Sequence, residues 1–91
     1  MSIRSLAEIM NEQSVPVIAS LLLEKHGLAA KGWRFAWDNA KRRAGQCSYR
    51  RKIVSLSRCY VRLNVKDKPE DILDTILHEI AHALVGSGHG H

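Results

Sequence analysis

The spacing of apolar positions changes twice along the 91-residue chain, and the changes divide it into a helical part, a strand part and a final helix. Val15, Ile18, Leu21 and Leu22 recur at the three-to-four spacing that lines one face of a helix. Ser14 ahead of Pro16 fits the start of that helix, and His26-Gly27 fits its end, where glycine accepts the left-handed conformation. Ser5-Leu6-Ala7-Glu8 has the form of a capping box, so an earlier helix is expected to begin there. After Gly32 the period falls to two. Trp33, Phe35 and Trp37 alternate with Arg34, Ala36 and Asp38, which predicts a strand with one aromatic face, and at this spacing the aromatic stripe reads as core rather than as a base-stacking platform. Asp38-Asn39 and Ala44-Gly45 mark a connection, and Cys47 to Ser57 reads as one or two further strands through Tyr49, Ile53, Val54 and Leu56. Tyr60 to Asn64 fits a strand and a short helix alike.

The last element has the clearest pattern. Asp67 suits an N-cap, Pro69 the first turn and Glu70 the capping-box position, while Glu70, Asp71 and Asp74 complement the positive end of the helix dipole. At about 100° per residue, Ile72, Leu73, Ile76, Leu77, Ile80, Ala83 and Leu84 form one apolar arc, and His78 and His82 fall nearly opposite it with Asp71, Asp74 and Thr75. The helix is expected to stop at Gly86. The whole predicts a single α+β domain over 1–91: helices in 1–30, a basic antiparallel sheet region in 31–66, a metal-binding helix in 67–86 and a loop in 87–91.

Composition narrows the setting. No apolar run approaches the roughly 20 residues of a membrane helix, and the N-terminus lacks a secretory pattern, so a cytoplasmic protein without membrane contact is expected. Cys47 and Cys59 belong to no CxxC pair and are expected to be reduced thiols. Between Lys31 and Lys66 eleven basic residues stand against one acid, Asp38, a local charge of +10, whereas the remainder carries −5. Such a split points to a polyanionic partner, with Lys41, Arg42, Arg43, Arg50, Arg51 and Lys52 as candidate DNA contacts.

Within the last helix His78-Glu79-Ile80-Ala81-His82 is an H-E-x-x-H sequence. Two histidines four apart lie one turn from each other, so both imidazoles can reach one Zn2+, and Glu79 stands beside them as general base without being a ligand. Neutral imidazoles leave the ion's charge available to acidify a bound water, and a neighbouring carboxylate can take its proton and return it to a leaving amine. That is the chemistry of peptide-bond hydrolysis. His89 and His91 are the candidates for a third ligand; His26, at a helix end, reads as structural. The metzincin spacing fails, because its glycine would fall on Val85 and its third histidine on Gly88.

The run from Trp33 to Tyr49, then Ile53-Val54-Ser55-Leu56-Ser57, then Asp74 to Leu84 and Gly88-His89-Gly90-His91, resembles the SprT-like domain, which includes the Spartan proteases. The resemblance extends from about Leu21 to the end. It implies a zincin-like minidomain with N-terminal helices on a small antiparallel sheet and the metal helix last. It also implies a zinc metalloprotease acting on proteins bound or crosslinked to DNA, with single-stranded or junction-like DNA as partner, and it favours His91 over His89 as third ligand. Family members continue with another helix, so the sequence is expected to be truncated after that ligand. The alternative is a zinc-stabilised nucleic-acid-binding module without proteolytic activity.

Overall fold

The computed structural model describes residues 3–86. Helix α1 (Ile3–Glu8) and helix α2 (Val15–Lys25) come first, followed by a single 3-10 turn, Ala29–Lys31. Strands β1 (Arg34–Asp38), β2 (Gly45–Ser48) and β3 (Ile53–Ser57) form the sheet, and helices α3 (Arg58–Asn64) and α4 (Pro69–Gly86) complete the chain. None of the described helices is long and apolar enough to cross a membrane.

Two expected helix starts are shifted, and the third, at Ser14, stands where expected without the expected side-chain cap. Ser5 lies inside α1, so it cannot act as its cap. Ser14 precedes α2 but already has helical backbone angles and caps no amide. Its hydroxyl instead accepts from Asn11 N–H at 2.8 Å, and Asn11 Oδ1 accepts from the amides of Gln13 and Ser14 at 2.8 Å each, a side-chain turn that does the work of a cap. Helix α4 begins at Pro69 directly after Lys68, one residue later than a cap at Asp67 would require. The end of α2 is as expected, with His26 at the cap and Gly27 at φ 77°, a conformation that disfavours any side chain. The ambiguous segment is helical: Ser57 caps α3 by accepting from Tyr60 N–H at 3.2 Å.

The α+β class holds, but the sheet is mixed rather than wholly antiparallel. Its order is β1-β3-β2, with β3 parallel to β1 and antiparallel to β2. Strand β3 takes the centre because it is the most apolar of the three, with Val54 and Leu56 fully buried. The connection 39–44 therefore crosses the end of β3 instead of closing a hairpin, and Ser57 holds it there, donating from its amide to the Ala44 carbonyl at 2.8 Å and from its hydroxyl to the Ala40 carbonyl. Phe35 and Trp37 stand opposite Val54 and Leu56, and all four face the helices, so the aromatic stripe is part of the core. The other face carries Ser55, whose hydroxyl donates to Asp38 at 3.0 Å.

Helix α4 packs across β2 and β3 and also meets α1, α2 and α3. Ile72, Leu73, Ile76, Ile80 and Ala83 are buried on it, whereas Leu84 is 47% exposed, and Leu21 of α2 is likewise exposed at 55%. The N-terminal region is pinned to α3 by Glu12, which accepts from Arg58 Nη1 and Arg62 Nε at 2.8 Å each. Those two hydrogen bonds, the Arg62 bond foremost, hold the Glu12 carboxyl at about 2 instead of the ordinary 4.5. A carboxyl whose folded pKa lies below its unfolded value stabilises the fold fully above the unfolded value and progressively loses that contribution at lower pH. Stability is accordingly expected to fall between pH 4.5 and pH 2, and Glu12→Gln is expected to remove this part of the fall, as read by urea unfolding at pH 7, 4 and 2.5.

Candidate metal centre

The apolar side of α4 determines what its other side can do. With Ile76 and Ile80 buried, the helical period turns His78 and His82 outward, and both are exposed. Their rings meet edge to face, 4.5 Å between centroids at 76°, and the two Nε2 atoms are 3.0 Å apart. Two nitrogens bound to one tetrahedral Zn2+ at roughly 2.0–2.1 Å stand about 3.3 Å from each other. The pair thus needs only a small opening to share one ion, and it fits a zinc site in donor type and spacing. Among the described residues no group of three or more His, Cys, Asp or Glu side chains is arranged to hold a metal. His89 and His91, the two candidates for completing the set, lie outside the described residues, and His26 is exposed at the end of α2.

Glu79 falls at the edge of the buried side of α4 and is only 9% exposed. Burial pushes its carboxyl above the ordinary carboxylate value, and the charges of His78 and His82 oppose that shift. A carboxylate made more basic in this way is a better proton acceptor than a solvated one.

Strand β2 lies alongside this face of α4, and its alternate residues meet successive turns of the helix. A Cβ on Gly45 would come within 3.2 Å of Thr75 Cγ2, Cys47 is close enough to Glu79 to feel its charge, and the Tyr49 hydroxyl donates to the His82 carbonyl at 3.1 Å. Burial first, then the charge of Glu79, pushes the Cys47 thiol up to about 11. Both cysteines are free thiols; Cys59 is exposed on α3. A cavity of about 370 Å3 opens between Gly45 and Ala44 on one side and Thr75, His78 and Glu79 on the other. Gly45, Cys47 and Tyr49 belong to the run that carries the family resemblance, but nothing in the sequence marks their approach to α4, because it depends on which strand lies beside that helix.

The candidate DNA contacts divide into two groups. Lys41, Arg42 and Arg43 lie in the connection before β2, and Arg50, Arg51 and Lys52 in the turn after it; all six are exposed. At about 3.3 Å per residue the strand between them holds the groups roughly 13 Å or more apart. Arg43 lies 3.8 Å from Asp38, and Lys52 donates its Nζ to the Lys31 carbonyl at 2.9 Å. Arg58 and Arg62 are engaged by Glu12, and Arg58 also lies 4.5 Å over the Trp37 ring. Lys41, Arg42, Arg50 and Arg51 form no ion pair among the described residues.

Gly45 is tightly packed between β3 and α4, since a Cβ there would stand 2.8 Å from the Ser55 carbonyl oxygen and 3.0 Å from Leu56 Cδ2 of β3, and 3.2 Å from Thr75 Cγ2 of α4. Gly45→Ala is expected to force β2 outward and to cost about 1–3 kcal/mol in urea unfolding.

A family model described as the SprT-like family matches residues 16–91. No curated protein and no solved structure gives a significant match. The matched region takes in α2, the whole sheet and the histidine-bearing α4, so it covers the elements that build the site as well as the H-E-x-x-H motif. Over that span the chain belongs to the SprT-like family, a family of metallopeptidase type.

Proposed function

We propose that the chain is the core of a zinc-dependent metalloendopeptidase acting on proteins held on DNA. The observation that carries this reading is the pair of His78 and His82 Nε2 atoms, 3.0 Å apart, beside a buried Glu79 on the face of α4 that borders the cavity. A bound Zn2+ would polarise the scissile carbonyl and acidify a water. His78 and His82 would hold it through neutral Nε2 atoms, with His91 or His89 as third ligand. Glu79 takes a proton from the attacking water on its carboxylate and delivers it to the leaving amine nitrogen, and the burial that raises its pKa suits it to both halves of that task.

Strand β2 supports a peptide substrate over a small molecule. Among the described residues it pairs only with β3, so its outer edge offers backbone donors and acceptors to an extended chain beside the cavity. Gly45 and Ala44 leave room for a substrate backbone there. Support for DNA comes from the exposed Lys41, Arg42, Arg50 and Arg51 at the two ends of this strand, on either side of the substrate path, and from the family resemblance.

Glu79→Gln is expected to keep one zinc per chain while proteolysis falls by about 100-fold or more. Cleavage at the wild-type rate would remove Glu79 from its role. For the DNA arm, replacing Lys41 and Arg42 together by alanine is expected to weaken single-stranded DNA binding and to reduce the slope of log K against log salt by roughly 1.4. An unchanged slope would sink that assignment. Salt-sensitive DNA binding without cleavage of any bound protein by the wild-type chain would favour the zinc-stabilised binding module instead.

A further inference from the structure

Two tyrosine hydroxyls tie α4 to the rest of the described structure, one on each side of the His78-Glu79 turn. Tyr60 of α3 shares a hydrogen bond with Thr75 Oγ1 at 3.1 Å, and Tyr49, in the turn after β2, donates to the His82 carbonyl at 3.1 Å. Thr75 Oγ1 is also bonded to the Asp71 carbonyl, so the Tyr60 contact anchors the helix a full turn before the histidines. The Tyr49 contact falls on a candidate ligand itself. We infer that Tyr49 is a positioning residue for the metal site: its hydroxyl, by gripping the His82 backbone, ties the ligand-bearing turn of α4 to the β2-β3 turn and presets His82 for the ion. The inference rests on the reading that His78 and His82 bind the metal.

Several features favour this role. The His82 carbonyl lies in the last turn of α4, which ends at Gly86, and helix ends fray unless something outside the helix holds them. A carbonyl oxygen has two lone pairs, so Tyr49 can bond it without displacing a helical amide. The Tyr49 ring is itself braced edge to face by Trp33, 6.1 Å between centroids at 81°, and Trp33 packs against the core. The hydroxyl therefore hangs from a fixed ring rather than from a mobile side chain. Two residues of β2 advance about 6.8 Å and the four helical residues from Thr75 to Glu79 about 6 Å, so Gly45 and Cys47 keep step with Thr75 and Glu79, and Tyr49, just past the strand, meets His82 three residues further on. A ligand-bearing turn held in advance loses less freedom when its imidazole binds, and that saving appears as metal affinity.

The test is metal binding by Tyr49→Phe, which keeps the ring against Trp33 and deletes only the hydroxyl. Zn2+ affinity is read by competition with a chromophoric chelator, and stability of the metal-free chain by urea, for wild type, Tyr49→Phe and His82→Ala. Tyr49→Phe is expected to bind Zn2+ more weakly, by up to about five- to tenfold, the scale of one lost hydrogen bond, with any loss of metal-free stability smaller than that bond. Unchanged affinity, with or without a loss of metal-free stability, would show the bond to be merely structural and overturn the inference. If the metal-free chain unfolds, the visible absorption of the Co2+-loaded protein decides instead: a shifted band supports positioning and an unchanged one overturns it. His82→Ala binding zinc as tightly as wild type would defeat the metal-site reading itself, and that result is distinguishable from any behaviour of Tyr49.

Discussion

Burial of one side of α4 is the constraint on which the rest of the site depends. Ile72, Leu73 and Ile76 are fully buried and Ile80 is 2% exposed, and each such side chain contributes roughly 1.5–3 kcal/mol on leaving water. No hydrogen bond in the site, at about 0.5–1.5 kcal/mol, competes with that. The helix has no choice of rotation once these residues are inside, and its period then sends His78 and His82 outward and leaves Glu79 at the boundary. The same packing produces two properties of the candidate site together, the paired imidazoles and the carboxyl raised by burial.

Core packing sets the orientation of α4, and the sheet sets how closely it can be approached. Strand β2 presents Gly45 and Cys47 to the helix, small residues that let the strand lie against Thr75 and Glu79. A larger side chain at Gly45 would fill the space that is now open beside His78. Being an edge strand, β2 also leaves one side of its backbone available. The apolar central strand β3, inserted between β1 and β2, is what keeps β2 at the edge beside α4.

Electrostatics follow the same division between framework and surface. Of the basic residues in the middle of the chain, Arg58 and Arg62 belong to the framework, held by Glu12 from outside the basic segment, with Arg58 stacked on Trp37. Lys41, Arg42, Arg50 and Arg51 remain at the surface, at the two ends of β2. A charge count along the chain merges these two populations, because it cannot register an ion pair formed across 46 residues.

The sequence by itself determined the elements whose cause is local. The period of α4 and the H-E-x-x-H motif within it, the glycine stop after α2 and the alternation of Trp33, Phe35 and Trp37 are all consequences of nearest-neighbour geometry. Helix starts were less legible, since Ser5 and Asp67 have capping chemistry without capping positions, Ser14 holds the position without the capping bond, and the actual cap at Ser57 sits at the end of a strand. Strand order, the parallel pairing of β1 with β3, the separation of the basic residues and the partnership of Tyr49 with His82 were decided only by the tertiary structure. A strand's alternation states which face is apolar and is silent about which strand lies beside it. The physical reason is that pairing and approach are settled by competition among all the apolar surfaces for the centre of the molecule, and β3 and α4, with the most to bury, occupy it.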